Sequence, residues 1–300
     1  DVTEEAAFAI LQAYADQGGN FIDTADVYGS GVSERTIGKF AKTQSVELLV
    51  ATKLGRRSNA DFGWPQNFTY DTMRRQVEAS LENLQMSQLF LEQLHCIPRE
   101  ELRKGTVFDN LRRLQDEKLI KHWGVSVETA EEALICLQQQ GLGSLQVIFN
   151  LFRQHIAGEF FDLAQKKGVA LIVRVPLASG LLTGKFTDQT QFLPTDHRNF
   201  NANGESFNAG ETFSGVPFAA GVELAHEISQ RLPDGRLAPW SLRWILDHPA
   251  VTTIIPGASK VSQVVANGEA ALLPPLAPAV HQSLRELYDR KIKGQIRGHY

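Results

Sequence analysis

The 300-residue sequence predicts an α/β fold built on parallel strands and, within that class, a (β/α)8 barrel. Three observations carry this. Short β-branched or aromatic runs alternate with amphipathic helical stretches along the chain. The length suits one barrel of about 250 residues. No glycine fingerprint follows the first strand, as an open doubly wound sheet that holds a dinucleotide would require. With 43% hydrophobic and 21% charged residues the chain can bury a sizeable core. No linker rich in Pro, Gly or Ser and no repeat divides it, so residues 1–300 read as a single domain.

Taken in order, "DVTEEAAF" reads as a helix start, with Thr3 as N-cap and Glu5 and Ala6 in the first turn. The chain thus opens on a helix, which places the expected first barrel strand upstream of Asp1. Strand candidates follow at 20–23, 46–53, 89–96, 121–127, 145–150, 169–176 and 251–257, each ending in polar or turn-forming residues. Helical patterns lie between them at 69–84, 107–119, 128–141 and 161–168, several closing on glycine as a C-cap would. The "GLGS" at 141–144 follows a helix and precedes a strand, the reverse of a phosphate-binding fingerprint, and reads as a cap and turn. The basic tail "DRKIKGQIRGHY" reads as a solvated helix end and coil.

Composition excludes several functions. A formal net charge of −4 argues against nucleic acid as a partner, while leaving room for a local basic pocket. No apolar run approaches the roughly 20 residues needed to span a bilayer, and the first segment is acidic where a secretion signal would be basic. Two cysteines, Cys96 and Cys136, are too few for a disulfide framework, so a reducing, cytoplasmic setting is expected. No His or Cys pair has the spacing of metal ligands.

In a barrel, side chains at the C-terminal strand ends converge on one face where chemistry is done. Asp23, Lys53 and His95 close three strands, and Tyr28 stands just beyond Asp23. Singly, each fits a structural role: Asp23 a cap, Lys53 a solvated strand end, His95 a satisfied core histidine. Together they bring a carboxylate, an amine, an imidazole and a phenol to one pocket. An ammonium beside a phenol favours phenolate and makes the phenol a better acid. Asp23 would hold Lys53 charged, and His95 would donate to a substrate oxygen. A strand-end lysine can also attack a carbonyl, so a Schiff-base aldolase is an alternative, although a nearby carboxylate disfavours the neutral amine it requires. Phe62, Trp64 and Phe68, after Lys53, either wall a substrate pocket, the reading favoured here, or pack the loop down.

The segments "NFIDTADVYGSGVSE", "ATKLG", "QLHC" and "RVPLASGLLTGKF" resemble the signature segments of the aldo-keto reductase family, over essentially the whole chain. The resemblance implies a (β/α)8 barrel preceded by a hairpin, and reduction of a small-molecule aldehyde or ketone with hydride from NADPH by Asp23, Tyr28, Lys53 and His95. Ser126 and Gln146 match the positions that hold the nicotinamide carboxamide, although Val127 stands where the family often has Asn. Arg174 takes the place of a stacking aromatic, and a planar guanidinium can also stack. Leu177, Ser179, Gly180, Leu181, Thr183, Gly184 and Lys185 match the loop over the pyrophosphate. Gly257, Ser259, Lys260, Gln263 and Asn267 match the adenosine-phosphate segment, with Gln263 and Ala266 where many members have Arg and Glu. Some relatives are channel-associated subunits that hold the cofactor as a sensor, a further alternative. The stretch from Phe186 to Ala219 lacks strong periodicity, and partial disorder is expected there without cofactor.

Overall fold

The computed structural model describes residues 3–56 and 68–298. Its strands form where the β-branched and aromatic runs lie: β1 (Phe21–Asp23), β2 (Leu49–Leu54), β3 (Leu89–His95), β4 (Ile120–Ser126), β5 (Ser144–Ile148), β6 (Ala170–Arg174) and β7 (Val251–Ile254). They join in chain order into one parallel sheet. Parallel neighbours need a crossover, and helices such as Tyr70–Leu84, Thr106–Asp116 and Ala130–Leu137 supply it. Side-chain caps start them: the Thr69 hydroxyl accepts from Thr72 N at 3.3 Å, and Thr129 and Glu132 form a reciprocal capping box. Thr3 likewise accepts from Ala6 N at 3.2 Å and starts the helix Glu4–Asp16.

The sheet curls until the helices beside its two edge strands meet. Glu4–Asp16 packs against Val261–Leu272, so closely that a Cβ on Gly268 would stand 2.1 Å from Gln17 Oε1. Among the described residues there is no eighth strand, and no pairing joins β7 to β1. Inside the curl an apolar layer of Ala51, Leu91 and Ile172 is overlaid by a polar one. Register sets that second layer: Lys53 lies opposite Gln93, and His95 opposite Ser126, which lies opposite Gln146. Gly124, at the level of Gln93, has no room for a side chain, because a Cβ would fall 2.1 Å from Ser144 Oγ.

Four expectations are corrected. The third strand ends at His95 rather than at residue 96, because Cys96 turns the chain with φ 49°. Phe186–Ala219 is packed rather than loose. Phe186, Phe192, Phe213 and Phe218 stack edge to face or tilted with centroids 5.0–5.9 Å apart, and the Arg198 guanidinium lies 4.5 Å from the Phe192 ring. Aromatics spaced irregularly in sequence leave no period but still form a cluster. The basic tail is not wholly solvated: Ile292 is buried, one turn after the buried Tyr288 that precedes the tail, and Arg297 donates to the carbonyls of Ala202 and Gly215 at 3.0 Å each. Phe68 is buried in the main core and does not wall a pocket, whereas Phe62 and Trp64 lie outside the described residues.

On the outer face of β3, Glu92 is fully buried between Thr52 and Trp123, and among the described residues no side chain partners its carboxyl. Burial, then the charges of Asp26 and Glu34, raise its pKa well above the usual carboxylate range. A raised carboxylate holds a proton in the folded state that the unfolded chain has released. Its contribution therefore weakens stability as pH rises above the unfolded value of about 4.5. Glu92→Gln should raise the melting temperature by on the order of 2 °C at pH 8 and by less at pH 5, measured by calorimetry. A larger gain at the acidic end would show that Glu92 is ionised in the fold.

Candidate active site

A buried lysine needs a counter-charge, and the strand ends supply one. Lys53, 1% exposed at the end of β2, forms a short ion pair with Asp23 Oδ2 and donates to Thr24 O at 2.7 Å. The other oxygen, Asp23 Oδ1, accepts from Gln146 Nε2 at 2.8 Å and from Gln93 Nε2 at 3.2 Å. Gln146 Nε2 also lies 3.3 Å from Gln93 Oε1. Above this layer Tyr28 is 44% exposed, with its ring centroid 5.2 Å from Lys53 Nζ. The His95 ring meets Tyr28 edge to face at 5.9 Å. All four strand-end suspects thus converge. Gln93 was not singled out from the sequence, although its place two residues before His95 on the same face of β3 was the available signal.

His95 is 6% exposed, and among the described residues its Nδ1 has no hydrogen-bond partner. Burial, then the positive charges of Lys53, Arg56 and Arg174, hold its pKa well below the usual imidazole range. A neutral ring that keeps one N–H suits donation to an oxygen.

Beside the tetrad stand four charges that the sequence did not bring together. Arg56 Nη2 lies 3.3 Å from Glu128 Oε1 and 3.4 Å from Glu211 Oε1. Arg174, ending β6, reaches Glu211 at 3.5 Å through Nη1, and through Nη2 Val127 O at 3.2 Å and Cys96 Sγ at 3.6 Å. Burial, then the charge of Glu211, push Glu128 up to about 7. Burial pushes Glu211 the same way, but the guanidiniums of Arg174 and Arg56 outweigh it and hold Glu211 below its ordinary value. Candidate ligand atoms of Cys96, Glu128 and Glu211 come within 4.8 Å of one another, a metal-like grouping invisible in sequence spacing. The two guanidiniums already neutralise these carboxylates, so a cation would have to displace them.

The carried-over cofactor positions divide into three groups. Ser126 Oγ lies 3.5 Å from Cys96 Sγ and Gln146 faces Asp23, so both border the tetrad. Arg174 is tied by its edges, which fixes the plane of its guanidinium as a stacking surface. Leu177–Lys185 turns tightly, with Ser179, Gly180 and Gly184 at positive φ, Thr183 Oγ1 donating to Gly180 O at 2.6 Å, and Lys185 exposed. Leu181 is buried, which limits it to backbone contacts with anything bound there. The Ser179 hydroxyl donates to Glu211 O at 3.0 Å and accepts from Phe213 N at 3.2 Å, so the long loop closes on this turn. Gly257 has open space where a side chain would be, and Ser259 and Lys260 are exposed. Gln263 Oε1 caps the helix Val261–Leu272, accepting from Ser259 N at 2.7 Å and Lys260 N at 3.1 Å, while Asn267 is half-buried on the same helix.

The model of the aldo/keto reductase family matches residues 1–289. The chain belongs to the aldo-keto reductase family. It is 28% identical over 314 aligned positions to a probable voltage-gated potassium channel subunit beta of Oryza sativa, covering 98% of this chain and 90% of that protein. Among solved structures it is similar to the holo form of aldo-keto reductase AKR11C1 from Bacillus halodurans. The TM-score is 0.78 and the identity 25%, over 96% of this chain and 88% of that one. An aldo-keto reductase from Klebsiella pneumoniae, solved in complex with NADPH, matches with TM-score 0.65 and 23% identity, over 95% of this chain and 85% of the other. The seven-stranded curl is thus the barrel of an aldo-keto reductase, with Asp23, Tyr28, Lys53 and His95 on one face.

In this aldo-keto reductase the His95 ring should stay neutral at pH values where an ordinary imidazole is already protonated, as followed by NMR of the imidazole protons. Lys53→Met removes one of the charges that depress it and should move its titration upward. An ordinary titration near 6.5 in the unmodified protein would show that the ring is not held in this environment.

Proposed function

We propose that the protein reduces an aldehyde or ketone to an alcohol with NADPH, Tyr28 supplying the proton. The observation that carries this reading is the buried Lys53 ammonium, held by Asp23 and Thr24 O, 5.2 Å from the centre of the Tyr28 ring. When bound, the dinucleotide supplies a hydride to the carbonyl carbon. The phenol of Tyr28 gives its proton to the carbonyl oxygen, and the Lys53 charge stabilises the phenolate left behind. Neutral His95 orients that oxygen by donating a hydrogen bond. Asp23 keeps Lys53 protonated, which also weighs against a Schiff-base aldolase. A reducing compartment such as the cytoplasm suits Cys96 and Cys136, which are unpaired.

The residues present fit a phosphorylated dinucleotide. Ser126 and Gln146 offer hydrogen-bonding groups to a carboxamide, and Arg174 a flat surface to a ring. The turn Leu177–Lys185 and Lys260 offer backbone approach and positive charge to phosphates. Gln146 would have to exchange Asp23 for the carboxamide. For the 2′-phosphate, Lys260 is the available cation, and the Gln263 side-chain oxygen is taken up by its cap, which leaves its Nε2 as the donor. A sensor role, as the likeness to a channel subunit suggests, would keep this binding site but make little use of Tyr28.

Tyr28→Phe should leave cofactor affinity nearly unchanged, followed by fluorescence quenching, while cutting turnover of a responsive aldehyde by ~10² or more. Near-normal turnover would remove Tyr28 from the mechanism, and tight NADPH binding without turnover of any aldehyde would favour the sensor. Lys260→Ala should raise the NADPH dissociation constant by about one to two orders of magnitude and scarcely move that of NADH. Equal losses for both would place the discrimination elsewhere.

A further inference from the structure

Gln93 and Gln146 both serve Asp23, but not with the same freedom. A carboxylate oxygen accepts and cannot donate, so both amides must turn their nitrogens toward Asp23 Oδ1, which fixes their orientation. Gln146 Nε2 donates there at 2.8 Å and Gln93 Nε2 at 3.2 Å, and among the described residues no third side chain donates to that oxygen. Gln146 Nε2 also meets Gln93 Oε1 at 3.3 Å. Gln93 is fully buried beside Lys53 on the neighbouring strand, and among the described residues its side chain has no partners but these two. Gln146 has a second duty, the carboxamide for which it would leave Asp23. The Asp23 carboxylate is 8% exposed, so water supplies little in place of a lost donor.

We propose that Gln93 is the positioning residue that keeps Asp23 Oδ1 satisfied when Gln146 turns to the carboxamide, so that cofactor binding does not undo the pair of Asp23 and Lys53 on which Tyr28 relies. This rests on the reductase reading above and adds to it a residue that acts only through Asp23. With Gln93 in place, Gln146 gives up one of two donors. Gln93 can then close on the oxygen, because its 3.2 Å contact is at the long end of the hydrogen-bond range. Without Gln93, the free protein would still satisfy Oδ1 through Gln146. Moving Gln146 would then strip a buried carboxylate oxygen of its last side-chain donor, and the penalty would appear as lost cofactor affinity.

The test is a double-mutant cycle read in binding rather than in turnover. The dissociation constant of NADPH is measured by fluorescence quenching for the full chain, Gln93→Met, Gln146→Met and the double variant. Gln93→Met should weaken NADPH binding by about tenfold or more. The same change made on top of Gln146→Met should alter it by no more than about twofold, because no donor is left to withdraw. Adenosine 2′,5′-bisphosphate, which lacks the nicotinamide, should bind Gln93→Met as it binds the unmodified protein, measured by titration calorimetry. Thermal melts report whether each variant is folded. If Gln93→Met is not, Gln93→Asn, whose amide falls roughly 1.5 Å short of Asp23, carries the same test. If the double variant is not, the contrast between NADPH and the bisphosphate decides alone. Equal losses of NADPH affinity in the two backgrounds overturn the proposal, and mean that Gln146 keeps Asp23 while it meets the carboxamide. A matching loss for the bisphosphate overturns it too, since Gln93 would then act on the fold at large. Either outcome leaves the reductase reading standing. Failure of the unmodified protein to bind NADPH overturns that reading, and this inference with it.

Discussion

Lys53 could not remain charged where it is without Asp23, and much of the interior is arranged around that pair. An ammonium 1% exposed has lost nearly all of its hydration, so its carboxylate must be close and its other donors satisfied. Asp23 in turn has a second oxygen to satisfy, and Gln93 and Gln146 do so from β3 and β5. Four strands are thereby tied through one carboxylate. Because side chains alternate along a strand, a slip of one residue in β2, β3 or β5 would turn Lys53, Gln93 or Gln146 out of the interior and leave Asp23 short of a partner. The same constraint that fixes the chemistry also fixes the register.

Outside this neutralised centre the electrostatics change character. The tetrad holds one ion pair whose partners are nearly sealed from water, whereas the neighbouring group of Arg56, Glu128, Arg174 and Glu211 is graded from buried to part-exposed. Their positive members help keep the His95 ring neutral, while burial and the charge of Glu211 push Glu128 up to about 7. Charge at the mouth thus conditions charge at the centre without touching it.

Much of the barrel, and the meeting of Asp23, Tyr28, Lys53 and His95 on one face, were legible in the sequence, for a physical reason. Buried parallel strands write continuous apolar runs, and strand-end polar residues stand out against them, as Asp23, Lys53 and His95 do. Glu128 and Glu211 did not stand out. Glu128 reads as the first residue of a helical pattern, and Glu211 sits in a stretch without period, where only the folding of the aromatic cluster brings it to Arg174. Gln263, matched to the cofactor segment by position, also caps its own helix through its side-chain oxygen, which local geometry decides and sequence spacing does not reveal. The tail misled in the opposite sense: its charges suggested solvent throughout, while Ile292, one helical turn after the buried Tyr288, pins it to the core.

That tail leaves a mark on the opposite end of the argument. Arg297 holds the carbonyls of Ala202 and Gly215, either side of Glu211, and so anchors the segment that delivers a carboxylate to the mouth of the site. A stretch of chain remote from every reacting atom therefore acts as a tuning peg for it. A change at Arg297 would shift Glu211 against Arg56 and Arg174 while the pair of Asp23 and Lys53 stays in place, so the charges beside the strand ends can vary independently of the pair they surround.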